Sequence, residues 1–287
     1  MKKSLQDLLR DTFKVLRKIN HNQIFLIIIL ACALLITIIC LFIVSSRSDI
    51  LSNINKDESL ILYFNFDEPI LDEKFIKDLS NKNNTGYVNG PIWREDSRFG
   101  NGSYFFDGVD DSISVNDSPN LSPNATNEIS IIFWMKPYKT DFAGEGSQGD
   151  YIHILGKGGY GNDYEYVFRQ YNASNSEAKN NRISFYMFNI SGGLGVGSSY
   201  SDKINMSEWT FIAGIFNGTH VQIWKNGILR DTHALTEYGI KSEDGPSPLN
   251  IGTADNDSYF TGYIDELRIY SRVLNEKELM SLYLKNK

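Results

Sequence analysis

Cysteine is almost absent from this 287-residue chain: Cys32 and Cys40 are the only two, and both fall inside one apolar run. Elsewhere no disulfide can form. That excludes a small disulfide-stapled scaffold and leaves the fold to be held by its core, with or without a metal ion. Histidine is scarce too, and His21, His153, His220 and His233 lack metal-ligand spacing. No GxSxG, HExxH or Walker pattern occurs. The stretch Gly156-Lys157-Gly158-Gly159-Tyr160-Gly161 spells GxGxxG, but β-type residues follow it. The helix N-terminus that would hold a pyrophosphate is missing, so the stretch is a glycine-rich loop.

Positive charge is equally confined. The net charge is −7, yet residues 1–23 hold six basic groups (Lys2, Lys3, Arg10, Lys14, Arg17, Lys18) against Asp7 and Asp11. That segment is +4, so the rest of the chain carries −11, which lacks the footprint of a nucleic-acid binder. With 41% hydrophobic residues the chain can bury a sizeable core, and disorder and collagen-like repeats are excluded.

What is present begins with Ile24–Val44, a run of 21 residues without a charge in which Thr37 is the only clearly polar side chain. As a helix it is about 31 Å long, the thickness of a hydrocarbon core. Six basic residues precede it, and only Arg47 and Lys56 follow within twenty residues. The positive-inside bias therefore predicts a cytoplasmic tail (1–23), a transmembrane helix (24–44) and an exterior C-terminal part at the cell membrane. A cleaved signal peptide is the alternative, but both the leading segment and the apolar core are too long for one. Residues 5–19 have helical apolar spacing with basic residues between, as in a helix lying on the inner leaflet.

Residues 45–58 are polar and lack a sustained period, which reads as a short stalk. From Ser59 the pattern changes to many short β-rich runs separated by Gly, Asn, Asp and Pro, as in an all-β, antiparallel two-sheet sandwich or jelly roll. Asn217-Gly218 and Asn226-Gly227 are hairpin turns, because Asn-Gly tolerates positive φ at both central positions. A short C-terminal helix is predicted after Asn275, with Glu278 completing a capping box and Leu279, Leu282 and Tyr283 forming its apolar face. Residues 59–287 make one domain.

Several segments in order carry a resemblance: Leu62-Tyr63-Phe64-Asn65-Phe66-Asp67-Glu68, Phe105-Phe106-Asp107-Gly108, Ile129–Pro137, Glu208-Trp209-Thr210-Phe211, Trp224-Lys225-Asn226-Gly227 and Gly262–Tyr270. The exterior part resembles the laminin G-like, concanavalin A-like jelly-roll domains of prokaryotic surface proteins. That family includes sugar binders, adhesion modules and packing modules, so the fold alone does not decide the function. The resemblance implies a structural Ca²⁺ held by an Asp on the final strand, which Asp265 matches, with Asp67, Asp78 and the carbonyl of Gly102 as companions by position. The alternative is that Asp265 caps a turn or pairs with Arg268.

Three kinds of site follow. Sugar binding needs aromatic rings and orienting polar groups, and the loops around 141–150 and 156–164 offer Tyr151, Tyr160, Tyr164, Asp150 and Asp163, of which Tyr160, Tyr164 and Asp163 are the expected ligand contacts. Glycoside hydrolysis needs two carboxyl groups across a cleft. Asp163 and Glu165 alternate on one strand face, but Val167 stands where a third acid belongs, so catalysis is not expected. Ten Asn-X-Ser/Thr sequons occur on the predicted outer side. The expected glycan acceptors are Asn83, Asn101, Asn116, Asn120, Asn124, Asn172, Asn205, Asn217 and Asn256, with Asn189 doubtful at a strand end. The expectation is a non-catalytic, single-pass surface protein that binds a glycan or mediates adhesion. A structural protein-packing module or a membrane-anchored glycosidase are the alternatives.

Overall fold

The computed structural model describes residues 21–70, 74–123, 126–142, 149–159, 163–174, 178–188, 195–235 and 244–285. The chain divides into two units, Met1–Ser52 and Asn53–Lys287. The first is built on helix α1 (His21–Asn55), within which Phe25–Ser46 is long and apolar enough to cross a membrane. Between Phe25 and Val44 the large apolar side chains are exposed, and Thr37 returns its hydroxyl to the carbonyl of Ala33 at 2.6 Å. Neither Gly nor Pro interrupts residues 45–55, so most of the expected stalk continues the helix.

The second unit is a sandwich of two eight-stranded antiparallel sheets, as the patterning predicts. The first runs β14 (Ile228–Ala234), β13 (His220–Lys225), β12 (Thr210–Phe216), β7 (Ile129–Pro137), β16 (Thr261–Tyr270), β5 (Ser103–Asp107) and β4 (Ile92–Arg94), with β1 (Leu60–Phe64) also on β16. The second runs β11 (Gly195–Tyr200), β10 (Ile183–Phe188), β9 (Tyr166–Tyr171), β8 (Tyr151–Lys157), β15 (Leu249–Ile251), β6 (Ser112–Val115), β3 (Gly86–Asn89) and β2 (Phe75–Ile76).

Alternation along the strands places one set of side chains between the sheets. Phe133 of β7 meets Phe168 of β9 edge-on, with ring centres 5.0 Å apart, and both are fully buried. Gly214 on β12 makes room for this layer: a Cβ there would stand 2.4 Å from Phe168 and 2.5 Å from Phe185.

Two local features position the sites. Strand β16 has a register shift between Asp265 and Arg268, where Glu266 has φ 51°. Such a bulge re-aims the side chains around it. The C-terminal helix α2 (Glu276–Tyr283) has the predicted capping box. Asn275 accepts from the N–H groups of Lys277 and Glu278, and Glu278 accepts from the N–H of Asn275 at 2.8 Å. Its Tyr283 stacks on Trp134 at 5.6 Å.

The hairpin turns differ from one another. At Asn226-Gly227 both residues have positive φ, as expected. At Asn217-Gly218 only the glycine does, and the Asn217 side chain accepts from the N–H groups of Thr219 and His220 instead.

Candidate ligand-binding site

Strand β9 turns Tyr166 and Phe168 into the core, which leaves Val167, Arg169 and Tyr171 on the outer face of the second sheet. Arg169 stands half-buried at the centre of that face. Its guanidinium carbon lies 4.3 Å from the ring centre of Tyr151 on β8, 4.6 Å from Tyr186 on β10 and 5.8 Å from Phe188. Val167, Phe188 and Ala254 form a small apolar floor beside it. Tyr151, Tyr186 and Tyr200 are half-buried, each keeping part of its surface open.

Arg169 is oriented from below. Its Nε donates to Nε2 of the buried His153 at 3.2 Å, so the imidazole proton sits on Nδ1 and points to Asp255 Oδ2 at 2.9 Å. Burial pushes the His153 pKa down, outweighing Asp255, and the ring is neutral at physiological pH. Burial works against the Asp255 carboxylate, but hydrogen bonds from His153 and from the N–H groups of Asp257 and Ser258 hold its pKa well below the usual range.

A chain of phenols completes the face. The hydroxyls of Tyr171 and Tyr186 are 2.9 Å apart, and that of Tyr186 also bonds Tyr200. Burial raises the pKa of Tyr171 and Tyr186. Burial opposes ionisation of Tyr200 as well, yet hydrogen bonds from Ser198, Tyr186 and Lys179 bring its pKa down. The Lys179 ammonium lies over the rings of Tyr200 (4.6 Å) and Tyr171 (5.3 Å). Two cations, Arg169 and Lys179, therefore share one aromatic face of an acidic chain.

The residues singled out from sequence divide. Tyr164 reaches the edge of this face, 5.2 Å from Phe188 and 6.1 Å from His153. Asp163 closes its own loop instead, with Oδ1 accepting from Gly159 N–H at 2.9 Å and the other oxygen bonded to the Ser247 hydroxyl. Tyr160 lies outside the described residues. Arg169, Tyr171, Tyr186 and Tyr200 were not singled out. Alternation of Val167, Arg169 and Tyr171 signals the first two, whereas Tyr200 ends a Gly- and Ser-rich stretch with little strand signal.

Glu165 is committed elsewhere. It is buried and bonds Lys157 at 2.6 Å, and the fully buried Lys157 also contacts Asp117 (2.7 Å) and the carbonyls of Gly245 (2.7 Å) and Ser247 (3.1 Å). Burial raises the Glu165 pKa while Lys157 opposes the rise. Asp163 and Glu165 thus hold loops and do not face one another across a cleft.

At the bulge of β16, Asp265 is fully buried. Its Oδ2 accepts from the N–H groups of Arg98 (2.8 Å) and Phe99 (3.2 Å), and its Oδ1 from Glu266 (2.8 Å). Arg268 pairs with Glu266 instead. Despite those donors, burial and the neighbouring Glu266 push the Asp265 carboxyl up to about 8. Asp67 grips the same loop, accepting from Asn101 N–H at 2.7 Å, and it lines a cleft of about 610 Å³.

Asp78 does different work: both its oxygens are occupied by the N–H groups of Tyr63, Ser80 and Asn84 and by the Ser80 hydroxyl. Gly102 lies against the Trp93 indole, which a Cβ would meet at 2.2 Å. Asp107, Asp110 and Asp111 bring carboxylate oxygens within 4.8 Å of one another on another loop.

Among the sequons, Asn83, Asn101, Asn116, Asn205 and Asn256 are exposed, and Asn120 and Asn217 half-buried. Asn172 departs from the expectation. It is only 1% exposed, and its amide donates to the carbonyl of Gly149 and accepts from Ser174, which leaves no room for a glycan. Asn124 and Asn189 lie outside the described residues.

The family model for the concanavalin A-like lectin/glucanases superfamily matches residues 107–280, more than half of the chain. The chain belongs to the concanavalin A-like lectin/glucanase superfamily. Among solved structures, this lectin-like chain is similar to domain 4 of AbnA, a GH43 extracellular arabinanase from Geobacillus stearothermophilus, in complex with arabinotriose. The TM-score is 0.54 at 16% identity, covering 78% of this chain and 98% of that one.

It is also similar to the binding domain of Paraclostridial Mosquitocidal Protein 1 (TM-score 0.58, 19% identity, 79% of this chain and 52% of that one). A third is the receptor binding domain of the botulinum neurotoxin C/D mosaic serotype (0.59, 15%, 80% and 52%). The chain thus spans about half the length of these toxin domains. At such identities the likeness is one of fold. Comparison with curated proteins finds no match.

Proposed function

We propose that this chain is a membrane-anchored, non-catalytic carbohydrate-binding module whose ligand lies on the outer face of its second sheet. The observation that carries this reading is Arg169 held between the rings of Tyr151 and Tyr186, with its orientation set by His153 and Asp255. A pyranose presents C–H faces to aromatic rings and hydroxyls to polar groups, and this face offers both. The similarity to an arabinanase domain in complex with arabinotriose supports the same reading. Helix α1, with its basic leading segment, anchors the module with the N-terminus cytoplasmic and the sandwich outside the cell.

The module also holds a structural Ca²⁺. Asp265 fits this role, because its buried carboxylate is bonded to N–H groups and to no charged side chain among the described residues, and Asp67 grips the same loop. Bound there, the ion would supply the charge that this corner lacks. The ligand set excludes the carboxylate of Asp78, which is saturated by donors from β1 and from its own loop.

A glycan array probed with the full chain in detergent, in calcium and in chelator, tests the reading. Binding lost in Tyr186→Ala is the expected result. Silence on every glycan overturns it.

A second reading, adhesion to a protein, rests on the other sheet. There Tyr263 packs against Phe105 (5.0 Å), Tyr138 (5.7 Å) and Trp209 (6.1 Å) on the outer face, beside the half-exposed Ile92. Under that reading Tyr263→Ser abolishes adhesion while glycan binding is untouched.

A further inference from the structure

We infer that the sugar recognised on the Arg169 face is an acidic one, and that the Arg169 guanidinium receives its carboxylate. This rests on the carbohydrate-binding reading above and names the ligand class of the same site.

Arg169 has one hydrogen-bond acceptor among the described residues, and it is not a carboxylate. Its Nε is spent on His153, while no described acceptor takes the terminal nitrogens. Three arginines of the sandwich are paired with acids, Arg230 with Asp202, Arg268 with Glu266, and Arg272 with Asp57 and Glu278, whereas Arg94, Arg98 and Arg182, like Arg169, have no carboxylate partner among the described residues. Outside residues 1–23 the chain carries −11, so acids are plentiful, yet the acid bonded to the His153 imidazole, Asp255, is separated from Arg169 by that neutral ring. Holding a half-buried cation without a counter-charge costs free energy, and an incoming anion recovers it.

The geometry selects the anion. With Nε tied down and rings on two sides, the guanidinium plane is fixed and its two terminal N–H groups point the same way. That end-on fork matches the two oxygens of a carboxylate in a bidentate pair. Tyr151 and Tyr186 then flank the sugar ring that carries it. Lys179, over Tyr200 on the same face, adds a second positive charge for a neighbouring acidic residue of a longer chain. A uronic or sialic acid residue satisfies all of these, and a neutral sugar leaves the fork empty.

The test uses the full-length chain in nanodiscs at low salt, titrated with matched pairs: oligogalacturonate against its methyl ester, and sialyllactose against lactose. A sulfated galactan serves as a third arm. The expected result is that at least one carboxylated probe binds about tenfold or more tighter than its neutral counterpart, the range of a charge-assisted pair. Arg169→Gln removes that preference, bringing the acidic member down to the affinity of its neutral counterpart in the same variant, whereas Tyr186→Ala weakens both and leaves their ratio in place.

Circular dichroism melts establish that each variant is folded. If Arg169→Gln is not, Arg169→Lys is read in its place. It keeps the charge but loses the fork, so the preference falls without vanishing. Equal binding of acid and ester, a preference that survives Arg169→Gln, or binding of the sulfated probe alone overturns the assignment of a carboxylate. In the first of these cases sensitivity to Tyr186→Ala leaves the carbohydrate reading standing. No binding to any probe sinks both.

Discussion

His153 Nδ1 and Asp255 Oδ2 lie 2.9 Å apart with both side chains buried, and the proton between them fixes which imidazole nitrogen can accept from Arg169. This pair makes stability depend on pH. The folded-state pKa of His153 lies below the ordinary imidazole value of about 6.5 because burial disfavours the charged ring. Below pH 6.5 the unfolded chain therefore binds a proton that the folded chain refuses. The contribution is fully present above 6.5 and is lost as the pH falls towards the folded-state value. Urea melts at pH 7.5 and 5.5 should show a lower midpoint at pH 5.5, and His153→Gln should reduce the difference. An unchanged difference in the variant would place its source elsewhere.

How much of this was legible in sequence depends on what each residue had to signal. The capping box at Asn275 and Glu278 is local chemistry, and it reads directly. The sandwich follows from alternation and from turn residues. The bulge at Asp265–Glu266 does not, because only the pairing of β16 with β7 and the positive φ of Glu266 reveal it.

Strand β11 is hidden for a different reason. Gly195-Val196-Gly197-Ser198-Ser199 has weak strand propensity, and pairing with β10 overrides it. Gly197 is required there because a Cβ would stand 2.5 Å from Leu235 and 2.8 Å from Val221. The aromatic face around Arg169 was half-visible: its tyrosines are common in this chain, and which of them surround a cation depends on register across four strands. Asp163 looked like a ligand group because it is an acid in a loop, yet the loop needs it to close.

The tyrosines of the face should separate binding from folding. Tyr151 gives its ring to Arg169 and to Tyr171 (5.7 Å), and its side chain remains half-exposed. Tyr151→Ala should weaken glycan binding by about three- to tenfold, the size of one aromatic contact, while costing little stability. Tyr171→Ala removes a buried ring and should cost about 3–5 kcal/mol. Calorimetric titration beside a denaturant series checks both. A Tyr151→Ala chain that binds normally would remove this ring from the site.

Lys157 and Glu165 test whether acids near the face are structural. Their 2.6 Å contact is buried, and Lys157 also satisfies two carbonyls of the 245–247 segment. Glu165→Ala leaves the buried ammonium with Asp117 as its remaining carboxylate among the described residues and should destabilise the sandwich by about 1–3 kcal/mol. The double variant Lys157→Met/Glu165→Leu should be more stable than Glu165→Ala alone, since it removes the charge along with its partner. Glu165→Gln that folds but abolishes a glycosidase activity would give this carboxylate a catalytic role.

Calcium should act through Asp265 and not through Asp78. A ligand that binds only the folded state at 100 times its dissociation constant adds about 2.7 kcal/mol. For a domain of this size that raises the melting temperature by about 5–10 °C relative to chelator. Asp265→Ala should abolish the increment, because the buried carboxylate is the charge that the ion would neutralise. Asp67→Asn should reduce it, since the amide keeps one acceptor oxygen for the 98–101 loop but loses the charge. Asp78→Ala should lower the melting temperature in calcium and in chelator alike, through four lost hydrogen bonds, and leave the increment intact. An increment that persists in Asp265→Ala would move the ion elsewhere, with the oxygens of Asp107, Asp110 and Asp111 the next to be substituted.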